Sequence, residues 1–218
     1  MIKTMSVYAA LVIMMAFAGG ASAETTIAGG MTAEGGDAKA GKEKAEACFG
    51  CHGEDGVSID PETFPHLAGQ FAGYTFKQVL DYQLGNREDD TMGAMAGMVE
   101  TREDLSDISA YFASLKPVKG EPSGSKAAKA GADIYQNGNK KLGNYAACVR
   151  CHGEKGRGQG NNALFPIISG QSKAYTIKQM QDFKAGTRAN DPASMMAMVA
   201  KGMTDKEIEA IADYLSGL

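Results

Sequence analysis

The pentapeptide Cys48-Phe49-Gly50-Cys51-His52 returns 100 positions later as Cys148-Val149-Arg150-Cys151-His152. The two copies consume all four cysteines and two of the three histidines of a 218-residue chain. Cys-x-x-Cys-His is the attachment sequence of a c-type haem: two cysteines hold the porphyrin edge through thioethers, and the adjacent histidine is placed to ligate iron. Cys48, Cys51, Cys148 and Cys151 are therefore the expected attachment points of two covalent haem c groups, with His52 and His152 as axial ligands. Other uses of paired cysteines fit less well. A thioredoxin-type redox pair belongs in a βαβ context, and no strand pattern lies near either motif. Zinc ribbons space their pairs by about 15–20 residues, against 97 here (148 − 51). Two disulfides, admissible in an exported protein, leave the repeated histidine without a reason.

Export is written at the start of the chain. Lys3 supplies a positive charge, residues 7–17 are apolar, and Ala21-Ser22-Ala23 is a small-residue cleavage site before Glu24. Residues 1–23 read as a secretory signal peptide, too short and wrongly flanked for a membrane anchor. No other stretch approaches the roughly 20 apolar residues that span a bilayer, so stable membrane insertion is not expected of the mature protein. The formal charge is −4, and no basic stripe of the kind that nucleic-acid binding requires is present.

Residues 24–36 are rich in Gly, Thr and Ala and read as a flexible leader. A first unit over 37–116 opens with a short Ala/Lys/Glu-rich helix that delivers the chain to Cys48. A second helix over 74–84 carries Phe76, Val79 and Leu80 on one face. Residues 92–98 form a methionine-rich loop, and a last helix over 102–115 buries Leu105, Ile108, Phe112 and Leu115. A Pro- and Gly-bearing linker over 117–128 follows, and the plan restarts in a second unit over 129–218. Residues 64–90 match 165–191 without a gap, with 12 of 27 positions identical. They share Phe-Pro, Gly-Gln, Tyr-Thr, Lys-Gln and a closing Gly-x-Arg-x-x-Asp. The last helices also match, Leu105 with Ile208 and Tyr111 with Tyr214. The second unit carries an insertion over 137–144. The pattern predicts an all-α, duplicated architecture. Units of 80–90 residues build marginal cores alone, so the apoprotein is expected to fold poorly without its porphyrins.

An iron that carries electrons without binding substrate needs a second axial ligand, and methionine opposite histidine raises the potential. The candidates are Met92, Met95 and Met98 in the first unit, and Met195, Met196, Met198 and Met203 in the second. The gapless frame from Arg87 onto Arg188 brings Met95 opposite Met196, which makes these two the expected ligands, with Met92 and Met198 as alternatives. Methionine also fills gaps around bulky groups. Pro65 and Pro166 recur after the motifs, and their carbonyls are candidate acceptors for the second ring nitrogen of each histidine. His66 has no counterpart, since Ile167 matches it, and stays outside the site. Glu54 and Glu154 read as solvated turn residues.

Two Cys-x-x-Cys-His units, each followed by Phe-Pro-x-x-x-Gly-Gln, Lys-Gln, Arg-x-x-Asp and a methionine loop, resemble the dihaem cytochrome c4 family from about residue 38 to 218. The resemblance implies two tandem class I cytochrome c domains, each wrapped around one haem c, related by approximate two-fold symmetry with the haems near their interface. It implies His/Met ligation at both irons and electron transport in the periplasm between redox proteins. The donor would be of the kind of a membrane cytochrome complex and the acceptor a terminal oxidase. Dihaem cytochrome subunits of flavocytochrome c sulfide dehydrogenases look similar, which makes a flavoprotein subunit an alternative partner. A dihaem enzyme such as a peroxidase or thiosulfate dehydrogenase would need an open iron position or a reactive cysteine. Here every cysteine is committed to attachment and both units offer methionine.

Overall fold

The computed structural model describes residues 35–138, 147–159 and 164–218. The expected signal peptide, most of the leader and most of the inserted segment lie outside these residues. Among the described residues the regular structure is helical, in two lobes. The first lobe contains α1 (Ala38–Lys44), α2 (Glu46–His52), α3 (Ala72–Gln83), α4 (Asp90–Ala96) and α5 (Arg102–Ser114). The second contains α6 (Lys126–Asn137), α7 (Val149–His152), α8 (Lys173–Ala185), α9 (Met195–Lys201) and α10 (Asp205–Ser216).

Helix starts follow from local chemistry. The Asp37 carboxylate accepts from the amides of Lys39 and Ala40 at the head of α1, Thr101 caps α5, and Thr204 and Glu207 form a reciprocal capping box on α10. Each satisfies backbone donors that a helix N-terminus leaves open.

In both lobes the first helix crosses the last, α1 on α5 and α6 on α10, with the crossing made at a glycine. A Cβ on Gly41 would lie 1.9 Å from the Asp107 carbonyl oxygen, and one on Gly131 2.0 Å from that of Ala210. Backbone therefore touches backbone, and no larger residue fits. Beside the first crossing, Lys44 Nζ reaches Asp107 Oδ2 at 2.5 Å while the Asp37 amide donates to Oδ1 at 2.7 Å. Phe76, Leu80 and Leu105 fill the contact of α3 with α5. In the second lobe Tyr135, Phe183, Ile208 and Ile211 do the equivalent work.

Two expectations are corrected. The methionine-rich stretch is not a loop: α4 runs through it, because Asp89 caps the Met92 amide at 3.0 Å and Ala and Met are good helix formers. The expected linker gives its last three residues, 126–128, to α6, which Ser125 caps. What remains is strapped to the second lobe: Ser123 and Ser125 donate to Asp213 Oδ2, and the Gly120 amide donates to the Leu218 carbonyl at 2.8 Å.

Gly131→Ala and Gly41→Ala should each destabilise the haem-loaded protein by about 1–3 kcal/mol through overpacking. Gly50→Ala, whose Cβ meets nothing within 4 Å, should be near neutral; denaturant unfolding checks all three. Lys44 and the Asp37 amide hold the Asp107 carboxyl below its usual range. A depressed folded value gives stability that is present above the unfolded pKa, about 4, and is lost as pH falls through the folded one. Asp107→Asn should flatten that part of the acid unfolding profile.

Candidate functional site

Cys48 and Cys51 lie three residues apart on α2, and Cys148 and Cys151 are placed likewise around α7, so each pair shares one helix face. All four are half-buried. Before haem is attached, burial pushes the Cys148 thiol up to about 11 and raises Cys48 as well.

Each histidine closes its helix and is 7 % exposed. The chain then turns through Gly53 (φ 75°) or Gly153 (φ 72°), where a Cβ would lie 2.2 Å from the Val57 carbonyl oxygen or 2.0 Å from that of Gly158. Only glycine can follow the histidine in this turn. His52 Nδ1 lies 3.0 Å from the Pro65 carbonyl oxygen and His152 Nδ1 2.9 Å from that of Pro166, as the recurring prolines predicted. A carbonyl only accepts, so Nδ1 carries the proton and Nε2 keeps its lone pair. Burial lowers both histidine pKa values, against the opposing pull of the proline carbonyls. Both rings are thus neutral, oriented and free to ligate through Nε2.

The methionines divide by position. Met92 and Met95 are half-buried and one turn apart on α4, whereas Met98 is 63 % exposed. Met196 is half-buried against the second core, and its amide donates to Asp191 Oδ2 at 2.8 Å. Met198 is 63 % exposed, and Met203 is buried in the core as filler. His66 is structural: its Nδ1 accepts from the Ser58 amide at 2.9 Å. Glu54 forms an exposed ion pair with Lys42.

The family resemblance implies an interface between the lobes, but the side chains that make it were not among the expected site residues. Arg87 and Arg188 are both buried there. Arg87 donates to Gln78 of its own lobe at 2.7 Å, and to Tyr175 and Gln179 of the other at 2.9 and 2.8 Å. Arg188 mirrors it, donating to Gln179 at 2.8 Å and to Tyr74 and Gln78 at 3.1 Å each. Contacts in which i meets j and j meets i are those of a two-fold axis. The signal was the recurrence of Gly-x-Arg-x-x-Asp and Lys-Gln in both units, but the repeat alone does not say which of its side chains meet across the interface.

Haem fits these residues. The cysteine pairs offer neighbouring thiols, the histidines an oriented Nε2, and two buried guanidiniums have no carboxylate at ion-pair distance among the described residues. Such cations suit the propionates that each porphyrin brings.

The sequence profile of the cytochrome c family matches residues 38–116 and 128–218. Cytochrome c4 of Azotobacter vinelandii is 38% identical over 198 residues, 87% of this chain and 92% of that one. A thiosulfate dehydrogenase electron acceptor of Stutzerimonas stutzeri is 35% identical over 175 residues, 80% of each chain. The crystal structure of reduced recombinant cytochrome c4 from Pseudomonas stutzeri matches with a TM-score of 0.79 at 38% identity, covering 84% of this chain and all of that one.

Gln179 Oε1 accepts from both arginines. Gln179→Leu should therefore cost about 2–3 kcal/mol in unfolding of the haem-loaded protein, since it strips both cations of a shared acceptor.

Proposed function

Because the chain belongs to the cytochrome c family, in its dihaem cytochrome c4 branch, and carries two covalent haem c groups, we propose that it is a soluble periplasmic carrier passing electrons along a respiratory chain toward a terminal oxidase. The observation that carries this reading is the duplicated histidine site, with each Nδ1 committed to a proline carbonyl and each ring buried and neutral. Haem supplies an iron that cycles between ferric and ferrous. The chain's part is to attach the porphyrin through Cys48 and Cys51 or Cys148 and Cys151, to orient His52 and His152, and to keep water from them. Met95 and Met196 are the proposed sixth ligands, each half-buried on a short helix. Relatives in this branch are electron-transfer proteins rather than enzymes, so no bond chemistry is assigned. The signal-peptide pattern of residues 1–23 supports periplasmic export, and no helix among the described residues is long and apolar enough to cross a membrane.

A second reading has a specific observation behind it. The 35% identical relative named as a thiosulfate dehydrogenase electron acceptor makes such an enzyme a candidate donor. The two readings differ in where electrons enter and are compatible with one carrier.

Spectroelectrochemical titration should show two haems per chain, low-spin at both irons, in two one-electron waves. Rapid binding of carbon monoxide or cyanide to one haem of the native protein would instead indicate an open site and defeat the carrier reading. Met95→Ala and Met196→Ala should each remove half of the methionine-to-iron charge-transfer band of the oxidised protein. If neither does, the ligand assignment fails. Reduction by purified thiosulfate dehydrogenase, and oxidation by oxidase-containing membranes, measure the two ends of the pathway separately.

A further inference from the structure

The recurring Gly-Gln of the two units has no role in attaching or ligating haem, yet its glutamines make the most exacting contacts between the lobes. Gln70 stands just ahead of α3. Its Oε1 accepts from the Ile167 amide at 3.1 Å, and its Nε2 donates to the Ile167 carbonyl at 2.8 Å. Gln171, just ahead of α8, does the same in reverse: Oε1 accepts from the His66 amide at 3.0 Å, and Nε2 donates to the His66 carbonyl at 2.9 Å. Both carboxamides are held from behind, since Oε1 also accepts from the next residue's amide, Phe71 at 3.0 Å or Ser172 at 2.8 Å.

The peptide being gripped is the informative part. The Ile167 N–H belongs to the same peptide unit as the Pro166 carbonyl, and that carbonyl receives His152 Nδ1–H at 2.9 Å. The His66 N–H likewise belongs to the Pro65 peptide, whose carbonyl receives His52 Nδ1–H at 3.0 Å. An amide that donates at its nitrogen is polarised and accepts more strongly at its oxygen, so the two bonds reinforce each other. A stronger acceptor on Nδ1–H in turn makes Nε2 a more basic ligand.

We propose that Gln70 and Gln171 are cross-lobe positioning residues: each glutamine fixes and polarises the proline peptide that holds the other lobe's histidine, and so sets the potential of the haem in the opposite lobe. Gln171 acts on the haem of His52, and Gln70 on the haem of His152. Docking of the lobes is then part of each iron's ligand set rather than only a means of holding two carriers together. The inference rests on the haem reading given above.

Gln→Met keeps the length of the side chain and removes both hydrogen bonds. In the dihaem protein, Gln171→Met should move one wave only, that of the His52 haem, to higher potential. Gln70→Met should do the same to the His152 haem. Haem-methyl resonances with Overhauser contacts to the residues of each Cys-x-x-Cys-His motif assign the waves to lobes. The Nδ1 proton of the affected histidine should shift upfield in the same variant, and the amide of His66 or Ile167 should exchange faster. Gln→Glu keeps an acceptor toward the N–H and should move the same wave downward, which decides the matter where a Met variant fails to accumulate. Tyr175→Phe removes a cross-lobe bond to Arg87 without touching either proline peptide, and should leave the Nδ1 proton shifts in place. The proposal is overturned if a variant moves its own lobe's haem, moves both equally, or moves neither while two haems remain bound. A native protein lacking two haems per chain would instead overturn the reading on which it rests, and haem counting scores that separately.

Discussion

Two positive charges buried side by side are the constraint that the rest of this structure must satisfy. Taking a guanidinium out of water is expensive, and a second one facing it adds repulsion. The offsetting contacts are all present: Arg87 stacks on Tyr82 with its central carbon 4.7 Å from the ring centre, and Arg188 on Phe183 at 4.4 Å. Two carboxamides and two phenols supply the acceptors. Neither lobe can solvate its own arginine alone, because each arginine takes acceptors from both. A lobe separated from its partner would leave its arginine and the interface glutamines without their cross-lobe partners. The lobes therefore make one molecule, and the net positive charge at their junction suits acidic groups brought by the porphyrins.

The two-fold relation is broken where the duplicated sequence has diverged. Asn190 stands where the first lobe has Asp89, and its amide reaches Gln78 at 3.0 Å and Asp81 at 2.6 Å across the interface. Asp89 caps α4 instead. Lys77 is correspondingly drawn inward, pairing with Asp81 and donating to the Asn190 carbonyl at 2.8 Å, while its counterpart Lys178 pairs with Asp182 at the surface. A buried ion pair lies beside one lobe and a solvated one beside the other. Charges act over longer range in the less polar interior, so the two lobes are not electrostatically equivalent despite matching attachment motifs.

What the sequence made legible follows from how local each feature is. Attachment cysteines, ligand histidines and the proline acceptors sit within 17 or 18 residues in each unit (65 − 48, 166 − 148), and periodicity or a repeat is enough to find them. Of the crossing helices, the last in each unit was visible as an apolar stripe and the first only as an Ala/Lys/Glu-rich run; Gly41 and Gly131 were not visible, since a glycine's importance there depends on a carbonyl oxygen 66 or 79 residues away (107 − 41, 210 − 131). The methionine segment read as a loop because Gly93 and Gly97 weaken a helical pattern, whereas the Asp89 cap and tertiary packing outweigh that weakness. Arg87, Gln70 and their counterparts were seen only as conspicuous identities between the units. Their partners lie 88–114 residues away in the other lobe, and an internal repeat does not reveal which side chains meet when its copies dock.

An electron carrier works best when its ligands keep their places in both oxidation states, because every rearrangement adds to the barrier for transfer. The observed structure fixes those places with backbone rather than with long side chains. A glycine turn ends the histidine's helix where no other residue fits, a proline carbonyl holds its ring, and a glutamine from the facing lobe holds that carbonyl's peptide. The proposed methionines stand on α4 and α9, helices whose internal hydrogen bonds constrain them more than a loop would. The most mobile links in such a site are thus replaced by peptide groups that already belong to regular structure or to the interface. Duplication contributes more than a second haem: it supplies, at the interface, the side chains that rigidify the first.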